Sequence, residues 1–323
     1  MLTSFKRQKP YHSLLLSLLG LVFFFPVWFK ASSPVLMNED GVLYKMLYVN
    51  LHAWGIDMRW LIVLFLIGTG IYINHIVVKH KMFPHSNGLA GLCWILITSF
   101  FASKFQFLSV WFVMAIMMLL FAKILMLHGN QKIKSELFNI GFLYSIAVLV
   151  YSPAIFFAFF IGMMLLLIRP VYLHEWLLVA IGAITPYYLM ASFLFLNDQP
   201  LSSVLPVLTM HAFSLKSDPL IFTASILLAL LPAMIGFWHI QTNMRKLLVH
   251  SRESWSAFYL FLFCGLLILF FSASSDLTLF LFLLFPLSVI TAGFFFYLKN
   301  RYLTGFVFLI WLSWSLWNAF SSV

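Results

Sequence analysis

The sequence is poor in charge. Only 9% of its 323 residues are Asp, Glu, Lys or Arg, against 63% that are hydrophobic. A soluble domain carries roughly 25% charged residues, so this chain cannot cover itself with a water-facing surface and most of its exterior must meet lipid. Cysteine is scarcer still. Cys93 and Cys264 are the only two, both inside apolar runs, which excludes a disulfide framework or a CxxC metal site and leaves small packing residues. There is no Walker loop, no GxGxxG unit, no serine nucleophile elbow and no zinc motif. Acids are missing from the interiors of the apolar runs, which counts against a proton-coupled transporter.

What the chain does have is a succession of apolar runs. The expected membrane spans are 13–29, 59–78, 88–103, 106–127, 137–151, 153–168, 175–196, 219–240, 255–272, 277–297 and 302–320. They define an all-α polytopic helix bundle with about eleven transmembrane helices, forming a single integral membrane domain over 1–323. The first run follows Lys6, Arg7 and Lys9 and ends in Pro26, Trp28, Phe29 and Lys30 without a small-residue cleavage site, so it reads as a retained helix.

Residues 137–168 contain no charge and admit two readings, one overlong helix or a tight hairpin. Tyr151-Ser152-Pro153 favours the hairpin, because Pro breaks a helical ladder and starts the next one well. Charge agrees. With the hairpin, 14 of the 19 basic residues fall on the cytoplasmic side; with a single crossing the split becomes 9 inside and 10 outside. The expected protein is therefore a bacterial inner-membrane protein with a cytoplasmic N-terminus and a periplasmic C-terminus. The net charge of +10 is distributed as topology signals in short loops, which gives no case for a nucleic-acid partner.

Two periplasmic loops are long enough to carry function, 30–58 and 197–219. The first reads Asn38-Glu39-Asp40-Gly41 and then Val42 to Trp54, where Leu43, Met46, Leu47, Leu51 and Trp54 recur at helical spacing and Tyr44 and His52 interrupt the pattern. That is an amphipathic helix suited to lying on the membrane. An acidic pair ahead of such a helix suits a general base beside an acceptor hydroxyl, or a carboxylate holding a divalent metal near a lipid phosphate. The plainer alternative is a helix cap. Arg59, Lys104 and Lys216 stand on the outer side against the overall charge bias, where they suit a lipid phosphate or ordinary headgroup contact.

Within the seventh run, Pro186 should kink the helix, with Thr185 beside it to compensate for the freed backbone. No histidine pair within a span has metal-ligand spacing, so no metal site is assigned. His75, His80, His85, His128, His174, His239 and His250 gather near the cytoplasmic ends of the runs.

Three stretches carry a family resemblance: Met1-Leu2-Thr3-Ser4-Phe5-Lys6 with Pro10; Phe138-Asn139-Ile140-Gly141-Phe142 leading to Tyr151-Ser152-Pro153; and Arg169-Pro170, Glu175-Trp176, Gly182 and Thr185-Pro186-Tyr187. In these the chain resembles uncharacterised inner-membrane proteins of Bacteroidota, about 300 residues long and grouped as a domain of unknown function. His174 stands where that resemblance leads one to expect Arg. The layout is also similar to the membrane core of GT-C glycosyltransferases. That likeness implies transfer of a sugar from a polyprenyl-phosphate donor, with Glu39 or Asp40 as base and Arg59, Lys104 and Lys216 at the phosphate. Membrane lipids would then be the partners. No cofactor is expected beyond a divalent metal in the glycosyltransferase case. A non-catalytic subunit that buries a membrane-protein partner, or a lipid transporter, would use the same helices.

Overall fold

In the computed structural model the apolar runs are all occupied by helices. The structure describes residues 5–6, 12–30, 36, 39–55, 57–101, 108–127, 133–168, 172–207, 219–271 and 279–321. Lys104, Lys216, Arg169 and Pro170 lie outside them, as does Met1–Ser4.

The helices are α1 (His12–Lys30), α2 (Val42–Ala53), α3 (Met58–Lys79), α4 (Leu89–Ser99), α5 (Leu108–Met126), α6 (Ile133–Val150), α7 (Phe157–Ile168), α8 (Leu173–Leu196), α9 (Pro219–Asn243), α10 (Val249–Phe271), α11 (Phe280–Tyr297) and α12 (Arg301–Ser321). Among the described residues seven helices are long and apolar enough to cross a membrane, and three shorter apolar ones accompany them. No regular strand occurs among these residues; lipid offers no partner for free backbone groups, and a helix satisfies its own.

At the centre stands α4, whose eleven residues are all buried. It packs against α3 and α11, and α5 is buried along most of its length beside them. Close approach is made by small residues: Gly91 lies against the Gly70 carbonyl and its N–H donates to Asn74 Oδ1 at 2.7 Å. The opposite extreme is α8, where Leu173, Leu177, Ile181, Ile184 and Tyr188 form an exposed stripe at helical spacing. Such a stripe suits lipid tails.

Two helix pairs run side by side in the same direction. In the first, Gly141 of α6 packs against the Val179 carbonyl of α8, and further along Leu149 clusters with Met190 and Leu194. In the second, Gly236 of α9 meets the Ile290 carbonyl of α11, and Gly293 packs on Ile240. Parallel neighbours require the intervening chain to come back, and α7 and α10 do so.

The first return answers the ambiguity of 137–168. Tyr144 Oη donates to the Ile155 carbonyl at 3.0 Å. In one continuous helix those residues would stand about 16 Å apart, so the chain reverses at Tyr151-Ser152-Pro153. There α6 stops, Tyr151 is extended (φ −145°, ψ 111°), and a 3-10 turn Ser152–Phe156 carrying Pro153 leads into α7.

Ends that alternation puts together do meet. At one end Phe5 O accepts from Gly88 N, Lys123 Nζ pairs with Glu136 at 2.7 Å, and α3 ends against the start of α10. At the other, Asn318 Nδ2 donates to the Phe100 carbonyl and Trp314 Nε1 to Ser225 Oγ. Pro186 is accommodated inside a continuous α8, and Thr185 Oγ1 donates to the Ile181 carbonyl at 2.7 Å beside it. Both cysteines are free and buried.

Candidate functional site

The acid pair of the first long loop is buried where α6 breaks. Because Tyr151 leaves the helix, the Val150 carbonyl and the Ser152 N–H lose their helical partners. The loop supplies replacements: Gly41 N donates to Val150 O at 2.9 Å, and Ser152 N donates to Glu39 O at 3.0 Å. Between these two bonds Asp40 and Tyr151 form an isolated antiparallel bridge. The Tyr151 phenol then donates to Glu39 Oε2 at 2.8 Å, so Glu39 holds Tyr151 through both backbone and side chain.

Glu39 and Asp40 are each 2% exposed, and Tyr151 is wholly buried. This differs from a simple cap. The residue capping α2 is Gly41, and no side chain makes a cap bond there. Glu39 and Asp40 are built into the bundle instead.

Gly41 is required by space. Its backbone angles (φ −72°, ψ 165°) are open to any residue, but a Cβ there would fall within the radius of the Leu149 carbonyl oxygen. Just beyond, α2 turns Tyr44 inward. Tyr44 is wholly buried and its ring meets Phe112 edge-on, with centroids 6.3 Å apart. Tyr44, Tyr48 and Leu51 thus form the inner face of α2, while Leu47 and Trp54 are exposed. The sequence pattern treats Tyr44 as an interruption; in the structure it anchors the helix. Burial pushes the Tyr44 phenol well above its ordinary range, and the charges of Asp40 and Tyr48 add to the effect.

Arg59 lies at the other end of α2, which at twelve residues is about 18 Å long. Gly55, with φ +66°, turns the chain after α2, and Asp57 then caps α3 by accepting from Arg59 N. Arg59 Nε reaches both Asp57 carboxylate oxygens, at 2.9 and 3.0 Å. That contact holds the Asp57 carboxyl below its usual range. The structure therefore brings Glu39 and Asp40 together with Tyr44 and Tyr151, and it pairs Arg59 with Asp57; Lys104 and Lys216 fall outside the described residues.

A second polar junction escaped sequence reasoning. His80 Nδ1 and His250 Nε2 lie 2.8 Å apart, joining the end of α3 to the start of α10. Ser251 Oγ donates to the Lys81 carbonyl and Trp255 Nε1 to Met82 O at the same junction. His80 is 3% exposed. No spacing rule could pair residues 170 positions apart. Among the described residues no group of three or more His, Cys, Asp or Glu is placed to hold a metal.

These features define a helical, multi-pass membrane protein with a buried acid–tyrosine cluster at one end of its bundle. The chain belongs to a family of unknown function, DUF6427, whose pattern covers residues 41–319. The matched stretch opens at Gly41, so it includes Tyr44 and Tyr151 and leaves Glu39 and Asp40 immediately ahead of it. No curated protein and no solved structure matches the chain.

Proposed function

We propose that this is an inner-membrane glycosyltransferase of GT-C-like layout, taking a sugar from a polyprenyl phosphate at the periplasmic face. It would cross the membrane eleven times, with its N-terminus in the cytoplasm and its C-terminus outside. The observation that carries this reading is the burial of Glu39 and Asp40, both within the first long loop. A carboxylate working as a general base needs shelter from bulk water and a neighbour that fixes its position. Tyr151 donates to Glu39 Oε2, and we assign Asp40, the other buried acid of the pair, the role of base toward an acceptor hydroxyl. Arg59, Lys104 and Lys216 would meet the lipid phosphate. The likeness to GT-C proteins is one of layout, and layout alone does not carry an activity.

One observation favours a second reading. Glu39 is engaged in a clamp that joins a loop to a helix break, as a purely structural acid would be. The chain would then be a non-catalytic subunit of an envelope assembly.

The two readings separate in a deletion strain. If the protein is the transferase, polyprenyl-linked sugar accumulates, the wild-type gene clears it, and Asp40→Asn fails to clear it, with a loss of about 10²- to 10⁴-fold in rate. Glu39→Gln keeps an oxygen for Tyr151 and serves as the folding control. No accumulation, or full clearance by Asp40→Asn, removes the enzymatic reading. For topology, a periplasm-dependent reporter should be silent after Asn300 and active behind the last residue; the reverse pattern would refute eleven crossings.

A further inference from the structure

Two hydroxyls near the acid pair are buried without a hydrogen-bond partner. Tyr44 Oη and Ser109 Oγ both lie on wholly buried residues, and neither hydroxyl is bonded among the described residues. Native interiors pair nearly all such groups, because leaving one unmade costs about 1–3 kcal/mol. The two belong to one place. The Ser109 backbone N–H, in the first described turn of α5, lies close enough to the Tyr44 oxygen to act on it, and the charge of Asp40 acts on the same phenol. Phe112, three residues along α5, fixes the ring edge-on, and Tyr48 flanks it at 6.2 Å.

The chemistry of this set selects its ligand. An anion is opposed by the charge of Asp40, which already acts on the Tyr44 phenol, since like charges in a buried site repel strongly. A hard cation is poorly matched, because the phenol keeps its proton and presents it as a donor. An uncharged hydroxyl suits every member: a carboxylate accepts its proton, and the phenol and serine donate to its oxygen. The aromatic ring beside them gives a sugar ring an apolar wall.

We infer that Tyr44 and Ser109, with Asp40, form a subsite for sugar hydroxyls, so that the uncharged head of the substrate sits against the acid pair and its phosphate lies elsewhere. This rests on the glycosyltransferase reading and specifies which part of the donor meets which residues.

The test uses the full chain in nanodiscs and two probes: a polyprenyl phosphate carrying one hexose, and the same lipid phosphate without sugar. Wild type should retain the sugar-bearing lipid at least tenfold more tightly. Tyr44→Phe, which keeps the ring and its contact with Phe112, should abolish that preference while leaving the bare lipid phosphate and the thermal midpoint unchanged. Ser109→Ala should reduce the preference in the same direction and gives an independent arm if Tyr44→Phe folds poorly. Equal retention of the two lipids by wild type would overturn the subsite, with the hydroxyls serving water only, and would leave the transferase reading standing. A preference that survives both substitutions would overturn it as well. Retention of neither lipid would sink the transferase reading and the subsite together.

Discussion

Replacing Gly41 with alanine should detach the acid segment from the break in α6. The new Cβ would fall within the radius of the Leu149 carbonyl oxygen, and both partners are backbone, so no side chain can rotate away. Relief requires the loop to withdraw by on the order of 1 Å. Three hydrogen bonds are then stretched: Gly41 N to Val150 O, Ser152 N to Glu39 O, and Tyr151 Oη to Glu39 Oε2. At about 1 kcal/mol for each neutral bond and about 2 kcal/mol for the bond to a carboxylate, the total is about 4 kcal/mol. Tyr151→Phe removes only the last and should cost about 2 kcal/mol. The ordering of the two variants is the critical point, and it can be measured by unfolding of the purified protein in mixed detergent. A Ser152→Cys reporter adds a local readout, since Ser152 is 3% exposed and should become reactive to maleimide only in the Gly41→Ala background. If Gly41→Ala unfolds like wild type and the reporter stays protected, the close approach does not hold the site together and the reasoning fails.

Further substitutions test the frame and the opposite end. Gly182→Ala pushes a Cβ into the Phe138 carbonyl and should destabilise the α6–α8 pair by about 1–3 kcal/mol; an unchanged unfolding midpoint would contradict the parallel packing. His80 has its pKa lowered to about 4 by burial, with the charges of His250, Lys79 and His75 adding. A His depressed in the fold binds fewer protons there than when unfolded, so stability should fall as pH drops from about 6.5 to 4 and level off below. His80→Asn should flatten that slope, and an equally steep slope in the variant would assign it to other groups. Asp198 takes the left-handed conformation (φ 52°) where α8 ends, with Gln199 N bonded back to Leu194 O. Asp198→Gly should therefore stabilise by roughly 0.5–1 kcal/mol, and a loss on the same thermal assay would refute that account.

Much of the frame was legible one residue at a time. Scarce charge and long apolar runs announce a helical membrane protein, and every expected run holds a helix. The reversal at Tyr151-Ser152-Pro153 followed from Pro153 and from the distribution of Lys and Arg, because a proline removes a donor and a basic loop resists translocation. Runs such as α4, at eleven residues, came out shorter than drawn. Which faces meet was hidden, since a membrane helix is apolar toward lipid and toward protein alike and hydrophobic pattern loses its contrast. Hence Gly141 and Gly182 gave no sign in pattern alone of a parallel contact, and Tyr44 read as a flaw in an amphipathic helix. The union of Glu39 with Tyr151 spans 112 positions and that of His80 with His250 spans 170. Sequence alone set the helices, their breaks and their preferred ends, which are local matters of solvation and backbone chemistry. Only tertiary packing decided that the acid pair of a loop would be drawn inside, because a broken helix needs backbone partners and a distant loop supplies them.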